Sequence, residues 1–304
     1  MTTTVYPSNT PFSWIDVVAP TRDELLQLAE KHNLHTTSVQ DCLDPMHLPK
    51  YESFDSLHFA ILRAYDAEAF GEADTIQELT RKTAVFFSDQ LLITIHRTDQ
   101  PYLKQLREKK YEASSDLLFT LLHSVLSSYR SPIDHALSDL EKLEMSVFQV
   151  QGAKPFEIKQ AYFLKRKAFV FKRMLRLTAD LLPKITAQLQ FNAQNSQDLR
   201  ELVESLYLST EELIESVTSL LNLHISLSSQ KTNEASHRTN EVMRVLTIFS
   251  VFLLPLNVVT GIYGMNFEYM PELKWSYGYP LAISSMVVIL LAIYFWFRKR
   301  GWLK

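Results

Sequence analysis

Two long uncharged segments flank the run Gly261-Ile262-Tyr263-Gly264-Met265-Asn266-Phe267-Glu268-Tyr269-Met270-Pro271 near the end of this 304-residue chain. No charged residue lies between Arg244 and Glu268, or between Lys274 and Arg298, so each segment holds 23 residues. A helix rises about 1.5 Å per residue and needs about 20 apolar residues to cross the core of a bilayer. The sequence therefore predicts a two-helix membrane hairpin whose polar, aromatic-rich connection contains this run.

The placement of Lys and Arg predicts the orientation of this hairpin. Arg238 and Arg244 precede the first segment and a basic group follows the second, whereas the connection carries Lys274 alone. Positive residues are retained on the cytoplasmic side. We therefore expect a multi-pass protein of the cell (inner) membrane with both termini cytoplasmic and the connection outside. Residues 1–11 have neither a basic region nor an apolar segment, so no signal peptide is expected.

Composition argues against several classes of protein. A net charge of −3 provides no basic field for nucleic acid. The single cysteine, Cys42, is compatible with a reducing compartment. The six glycines fit neither a P-loop nor a dinucleotide fingerprint, so no nucleotide partner is expected. His32 and His35 lack the further ligands of a zinc site, and we find no catalytic residues, so an enzyme is not expected.

Hydrophobic periodicity predicts an α+β fold. An N-terminal cytoplasmic α/β domain is expected over residues 1–110, followed by a cytoplasmic helical hairpin over 111–194. The predicted elements of these two regions are strands at Phe12–Val17, Leu57–Tyr65, Ile76–Phe87 and Leu91–His96, and helices at Thr21–His32, Tyr111–Gln149 and Phe156–Gln190. Gly and Pro predict the turn of the helical hairpin at residues 151–155.

A third helical segment is predicted over residues 195–263, comprising a stalk and the first transmembrane helix at about 243–263. A single helix of this length would expose its apolar face, so we expect it to pack against copies of itself. The connection then covers 264–279, the second transmembrane helix 280–298, and a basic cytoplasmic tail 299–304. Residues 230–236 are nearly repeated in 237–243; seven residues are about two turns, which lengthens the helix by ~10 Å and keeps its packing face.

A polar stripe follows the first membrane segment. Its members recur every three or four residues and so share one helix face: Asn240, Met243, Leu246, Ser250, Leu254, Asn257 and Gly261. In a self-associating helix this face would surround a pore; the alternative is a helix–helix contact stripe, which the stripe alone would favour. Because a long stalk helix precedes this segment, we give the pore interpretation at least as much weight as the contact stripe. Amides and hydroxyls suit an ion that keeps its water, because Mg²⁺ dehydrates reluctantly.

The hairpin resembles the CorA family of magnesium transporters. Tyr263-Gly264-Met265-Asn266 matches the family signature, and Phe267–Leu273 matches the loop that follows it. Residues 239–247 resemble the pore entrance of the family. Gln40-Asp41-Cys42-Leu43-Asp44 and Pro49-Lys50-Tyr51-Glu52 extend the resemblance into the soluble region.

The resemblance implies a homopentameric funnel that conducts Mg²⁺, with Co²⁺ and Ni²⁺ as further ions, down its gradient. The stripe would line the pore, with Asn240 at its cytoplasmic end. The remaining roles that the family implies are an external mouth at Gly264, Met265 and Asn266, a hydrophobic gate at Met243, Leu246 and Leu254, cation attraction by Glu268 and Glu272, and a regulatory Mg²⁺ held between subunits by Asp41 and Asp198. Mg²⁺ would thus be both the transported and the regulatory ion.

Three positions depart from the family pattern. Gln40 stands where Glu is frequent and would weaken a second regulatory ion, Leu254 replaces a common Met, and Asn257 replaces Thr. One alternative is a zinc transporter of the same superfamily, with or without proton coupling. A less favoured one is a non-conducting, membrane-anchored scaffold, which would have no use for Asn257 in its membrane segment.

Overall fold

The structure is a computed structural model that describes residues 2–6, 12–54, 56–148, 155–189 and 191–302. In chain order its elements are β1 (Thr2–Tyr6), β2 (Ser13–Val18), α1 (Arg22–His32), α2 (Thr36–Leu43), β3 (Lys50–Phe54), β4 (Leu57–Tyr65), α3 (Ile76–Leu79), β5 (Thr80–Phe87), β6 (Leu91–His96), α4 (Pro101–Arg107), α5 (Ser114–Ser127), α6 (Arg130–Val147), α7 (Ile158–Thr186), α8 (Ala193–Tyr263), a 3₁₀ helix (Pro271–Lys274) and α9 (Gly278–Lys299). The chain divides into two compact units, residues 1–224 and residues 225–304.

The first unit is built on a six-stranded sheet with the order β1-β2-β6-β5-β4-β3. Strands β2 and β6 are parallel, with Ser13 opposite Leu91 and Val18 opposite His96, and the other neighbours are antiparallel. Seven successive residues of β4 are buried, from His58 to Ala64. Because side chains alternate between the two faces of a strand, both faces of the sheet must be covered.

Helices cover the two faces of the sheet. One hydrophobic core joins α1 and α2 to strand residues such as Val17, Phe59 and Ile93. The other joins α4, α5, α6, α7 and the first part of α8 to residues of the opposite face, such as Leu62 and Phe87. The predicted α+β fold class is therefore confirmed, with mixed strands between two helical layers.

The predicted strand over Ile76–Phe87 is wrong in its first part, because Ile76–Leu79 forms α3 and β5 begins only at Thr80. The local cause is a capping box. The backbone N–H of Glu78 donates to Thr75 Oγ1 (3.4 Å), and the backbone N–H of Thr75 donates to Glu78 Oε2 (3.2 Å). This reciprocal pair satisfies two backbone donors that a helix start leaves open, which favours a helical turn over a strand.

The helix predicted over Tyr111–Gln149 is also corrected, since α5 ends at Ser127 and α6 begins at Arg130. Contacts with β4 occupy the break between them. Ser128 Oγ accepts the backbone N–H of Tyr65 (2.8 Å), and the Tyr129 hydroxyl donates to the carbonyl oxygen of Arg63 (2.8 Å). Of the turn predicted at residues 151–155, only Pro155 lies within the described ranges; Gln149 and Gln190, the predicted helix ends, lie outside them, as do residues 303–304 of the basic tail.

The long third helix is confirmed as α8, a single helix of 71 residues. Its first part belongs to residues 1–224 and buries the positions that recur at helical spacing, among them Leu199, Leu206, Leu213 and Leu220. The second transmembrane helix predicted at 280–298 corresponds to α9.

Candidate functional site

Helices α8 and α9 are long and apolar enough to cross a membrane. The most apolar window of each has a mean hydropathy of 2.2, and almost none of these residues is buried in the single chain. Large contiguous apolar surfaces of this kind are unfavourable in water, because each Å² left exposed forgoes about 25 cal/mol of hydrophobic stabilisation. The two helices therefore require lipid or protein around them.

In the stretch of α8 that carries the polar stripe, two faces of the helix differ in how exposed their side chains are. All seven residues of the polar stripe are exposed. The half-buried residues of the same stretch are Ile248, Val251, Phe252, Pro255, Leu256 and Val259. At about 100° per residue, this second set is centred on the side of the helix roughly opposite the stripe. Phe252 in this set stacks on Phe297 of α9, with ring centroids 5.9 Å apart. The stripe thus faces away from α9 and is free for other contacts.

Hydroxyl groups within this stretch are satisfied by the helix itself. Ser250 Oγ donates to the carbonyl oxygen of Leu246 (2.9 Å), and Thr247 and Thr260 donate to carbonyl oxygens one turn earlier. No charged side chain occurs between Arg244 and Glu268. The exposed stripe therefore offers amide, hydroxyl and apolar groups, which can accompany a hydrated cation but cannot strip its water.

The predicted mouth residues lie at the end of α8. The backbone N–H of Gly264 donates to the carbonyl oxygen of Thr260 (2.9 Å), and that of Met265 to Ile262 (3.2 Å). A Cβ atom at Gly264 would lie 3.1 Å from the Thr260 oxygen, so a small residue suits this close approach. Asn266 is exposed, and its side-chain amide makes no hydrogen bond with the residues that the structure describes. This amide is therefore available to a ligand.

The rest of the connection packs against the start of α9. The backbone N–H of Gly278 donates to the carbonyl oxygen of Trp275 (2.9 Å). A Cβ atom at Gly278 would lie only 2.2 Å from the carbonyl oxygen of Glu272, so this position admits glycine alone without a shift of the backbone. Sequence reasoning missed this role of Gly278. The side chains of Glu268 and Glu272 are exposed, as attraction of cations from solvent requires.

A second candidate site surrounds Asp41 on α2. The Asp41 carboxylate contacts Lys50 Nζ and lies 3.1 Å from His47 Nε2. Lys50 Nζ also lies 2.8 Å from Glu52 Oε1. Burial lowers the pKa of Lys50, but hydrogen bonds to Asp41 and Glu52 outweigh it and hold this pKa above its usual value. Asp41 is thus neutralised by a lysine of its own chain.

Asp198, the other predicted regulatory ligand, lies near the start of α8 and is exposed. Within the described ranges, Asp198 and Asp41 share no ion-pair or hydrogen-bond partner. Across those ranges, no group of three or more His, Cys, Asp or Glu side chains is arranged to hold a metal ion. One chain therefore presents these two carboxylates separately, each with few oxygen ligands near it.

A buried polar network was not expected from the sequence. The Asp16 side chain is 1% exposed and accepts hydrogen bonds from Thr94 Oγ1 (2.5 Å) and from Arg107 Nε (3.0 Å), and it lies 3.1 Å from His96 Nε2. Burial raises the pKa of Asp16, but His96, Thr94 and Arg107 together outweigh it, so the pKa lies below its usual value. The network joins β2, β6 and α4, which gives it a structural role.

Comparison with known proteins covers nearly the whole chain. The sequence profile of a family described as CorA-like Mg²⁺ transporter protein matches residues 9–299. The cobalt/magnesium transport protein CorA of Thermotoga maritima is 25% identical over 309 residues, which cover 97% of this chain and 84% of that protein.

Two solved structures share the fold. The CorA magnesium transporter of Methanocaldococcus jannaschii is 23% identical with a TM-score of 0.59, over 98% of this chain and 93% of that one. The cytoplasmic domain of ZntB from Vibrio parahaemolyticus is 12% identical with a TM-score of 0.59, over 74% of this chain and 91% of that one. At these identities the likeness concerns the fold alone.

Proposed function

Since the chain belongs to the family of CorA-like Mg²⁺ transporter proteins, we propose that it is a channel through which Mg²⁺ enters the cell down its electrochemical gradient. Membership makes the chain a transporter of divalent cations rather than an enzyme. The observation that supports a channel most directly is the position of the polar stripe, exposed on the side of α8 roughly opposite Phe252, whose ring contacts α9. A stripe in that position can face an axis shared by several copies of α8.

The proposed channel is a homopentamer in the cell (inner) membrane, with both termini cytoplasmic and α9 on the lipid side. Five copies of Gly264, Met265 and Asn266 form its external mouth, where the free amides of Asn266 contact a hydrated ion. Glu268 and Glu272 raise the cation concentration nearby. Along the pore, Ser250, Asn257 and Gly261 present polar or small groups, and Asn240 surrounds the cytoplasmic end.

The gate consists of the apolar members of the stripe, Met243, Leu246 and Leu254. A ring of five such side chains excludes water from a narrow pore, and a hydrated ion cannot pass a dry constriction. To open the pore, these rings of side chains must widen. The polar positions between the rings allow this movement without leaving buried hydrogen-bond donors unpaired.

Mg²⁺ itself is the proposed regulator. Because one chain holds Asp41 and Asp198 apart, the regulatory site requires carboxylates from two neighbouring copies. A bound Mg²⁺ neutralises these carboxylates and holds the subunits together. When Mg²⁺ leaves, the like charges repel and the stalk helices can rearrange.

The experiment that tests the channel is Mg²⁺ uptake into liposomes by an Asn266→Ala variant. We expect uptake to fall to the level of protein-free liposomes while the variant still assembles, because the first ligand for the hydrated ion is lost. Ser276→Ala removes another exposed polar group from the same connection and should leave uptake unchanged. Normal uptake by Asn266→Ala would refute the assignment of the mouth.

A zinc transporter of the same superfamily is the second candidate; the fold shared with the ZntB domain is compatible with it but identifies no ion. Co²⁺ and Ni²⁺ are further candidate ions. Uptake compared across Mg²⁺, Co²⁺, Ni²⁺ and Zn²⁺ in the same liposomes discriminates between these functions, and absence of uptake for all four ions would favour a non-conducting scaffold.

A further inference from the structure

A cavity of about 470 Å³ lies beside the C-terminal end of α2, within residues 1–224. Four positively charged side chains line it, namely Arg63, Arg81, Lys82 and Arg97. Among the described residues that form its walls there is no aspartate or glutamate. A concave surface lined by one sign of charge concentrates the field of that charge, so this cavity attracts anions.

Three of these four charges have no carboxylate partner. Arg81 is paired, since its Nη2 lies 2.6 Å from Asp66 Oδ2. By contrast, no carboxylate in the described part of the chain lies within 4.0 Å of a charged nitrogen of Arg63, Lys82 or Arg97. Of these three residues Arg63 is buried, Lys82 is half-buried and Arg97 is exposed. A buried charge without a counter-charge is unfavourable, and an anion bound beside Arg63 would supply one.

Arg63 shows this imbalance most clearly, because it is 2% exposed. Its guanidinium donates to neutral oxygens: the carbonyls of Pro45 (3.0 Å) and His47 (2.8 Å), and Thr80 Oγ1 (2.8 Å). Burial lowers the pKa of Arg63, and the more distant negative charge of Asp44 offsets part of this decrease. These contacts hold the guanidinium in place without neutralising it.

Lys82 and Arg97 are held by the end of α2. Lys82 Nζ donates to the carbonyl oxygens of Asp41 (2.6 Å), Cys42 (2.9 Å) and Asp44, and Arg97 Nη2 donates to that of Leu43 (2.7 Å). The C-terminal carbonyls of a helix carry only about half an elementary charge in total. Burial lowers the pKa of Lys82 to about 8, as expected for an ammonium group that no carboxylate faces at short range. The helix end therefore compensates these two cations only in part.

We propose that this cavity binds a small phosphate-bearing anion through hydrogen bonds from Arg63 and Arg97. Lys82 contributes charge alone, because its three N–H donors already bond to carbonyl oxygens. Guanidinium groups match phosphate oxygens with paired hydrogen bonds, and the polar residue Thr98 lines the same cavity. Its volume lies within the range of about 300–1,000 Å³ found for small-molecule sites. The lack of a glycine-rich loop does not bear on this site, because side-chain cations take the place of backbone N–H groups.

Binding can be measured apart from transport, on the full chain in detergent and in buffer without Mg²⁺. Isothermal titration with pyrophosphate, with ATP and with inorganic phosphate distinguishes two classes of anion, a nucleoside phosphate and a phosphate group without a nucleoside. Saturable binding of ATP well above that of pyrophosphate identifies a nucleoside phosphate, and equal binding identifies the phosphate chain.

Two variants locate the site. Arg97→Gln removes one charge and should weaken binding about tenfold, because hydrogen bonds between charged groups are among the stronger ones. Thr98→Glu places a carboxylate at the exposed edge of the cavity, leaves the contacts of α2 intact and should abolish binding. Arg176→Gln, an exposed arginine on α7, is the matched control and should bind normally. Circular dichroism verifies that each variant folds.

Absence of saturable binding of all three anions by the wild-type chain would overturn the proposal. So would an affinity that stays unchanged in Thr98→Glu, whether or not Arg97→Gln folds. Neither result depends on whether the protein conducts Mg²⁺.

Discussion

At the scale of single residues, Lys50 decides how strongly Asp41 can bind a cation. Its ammonium group contacts the Asp41 carboxylate and lies 2.8 Å from Glu52 Oε1, so it occupies the position that the proposed regulatory Mg²⁺ would take. Binding of Mg²⁺ at Asp41 must therefore displace Lys50. The resemblance to the family motif makes Asp41 a candidate from the sequence, but this competition could not be predicted, because it depends on how β3 packs beside α2.

Replacing this lysine should make closure more sensitive to Mg²⁺. In Lys50→Met the carboxylates of Asp41 and Glu52 lose their internal cation, and a half-exposed ion pair is worth about 1 kcal/mol, or about fivefold in affinity. We expect half-maximal inhibition of uptake at about fivefold lower internal Mg²⁺, measured in liposomes. Lys110→Met, at an exposed lysine, should not change it. Inhibition at the wild-type concentration in Lys50→Met would exclude Lys50 as a competitor.

At the scale of elements, Asp16 connects β2 to β6 and α4 through Thr94, His96 and Arg107. Asp16→Asn keeps the shape but removes the buried counter-charge of Arg107, which then pairs with Asp99 alone. Breaking a buried pair costs about 3–5 kcal/mol at most in this case, since Asp99 retains part of the compensation. We expect a clearly lower unfolding temperature for the full chain in detergent, followed by circular dichroism. Asp139→Asn, which breaks an exposed pair with Lys142, should change the stability by well under 1 kcal/mol. Equal melting of both variants would contradict a stabilising role for Asp16.

The same carboxylate predicts a pH dependence. Because the folded state lowers the pKa of Asp16, its contribution to stability is fully present above the unfolded pKa, about 3.9, and is lost as the pH falls through the lower folded value. The difference in stability between wild type and Asp16→Asn should therefore shrink on acidification below about pH 4. A difference that stays constant as the pH falls well below 4 would show that the charge is not responsible.

Elements with a strong period or cap could be predicted, and those defined by tertiary contacts could not. The strands at Leu57–Tyr65 and Leu91–His96 are confirmed, and the helix predicted from Thr21 is α1, with Thr21 as its N-cap. Helix α3 carries its own signal in Thr75 and Glu78, but the apolar residues that follow favoured a strand. The break at Ser128 carries a signal in Pro132, which has no N–H to donate to the Ser128 carbonyl, but the contacts with β4 that accompany the break could not be predicted.

The candidate site likewise has features that the sequence predicts and others that depend on tertiary contacts. Sequence spacing places Asn240 to Gly261 on one face of a helix, and this placement holds in α8 whichever way the chain folds elsewhere. The close approach of Gly278 to the carbonyl of Glu272 needs the three-dimensional path of the connection, which no local pattern records. The cationic cavity likewise combines side chains from β4, β5 and β6 that lie far apart in the sequence.

At the scale of the whole molecule, the proposed function needs no fuel other than the electrochemical gradient. A doubly charged ion moving into a negative interior gains about 4.6 kcal/mol per 100 mV, so each 30 mV changes the equilibrium Mg²⁺ ratio about tenfold. A channel responds to this potential and to the concentration difference of Mg²⁺, and not to a pH difference. A transporter coupled to protons also responds to the pH difference across the membrane, which provides a physical means of separating the two.

Liposomes containing a Mg²⁺ indicator can hold the two driving forces independently, with a potassium diffusion potential for the voltage and an ionophore that dissipates the pH difference. We expect accumulation of Mg²⁺ to rise about tenfold for each 30 mV of inside-negative potential and to be unaffected by loss of the pH difference. Asn266→Ala liposomes measure the leak. Accumulation that requires the pH difference at zero potential would instead favour a proton-coupled transporter, because the positive charge of Mg²⁺ alone cannot drive uptake without a voltage or a concentration gradient.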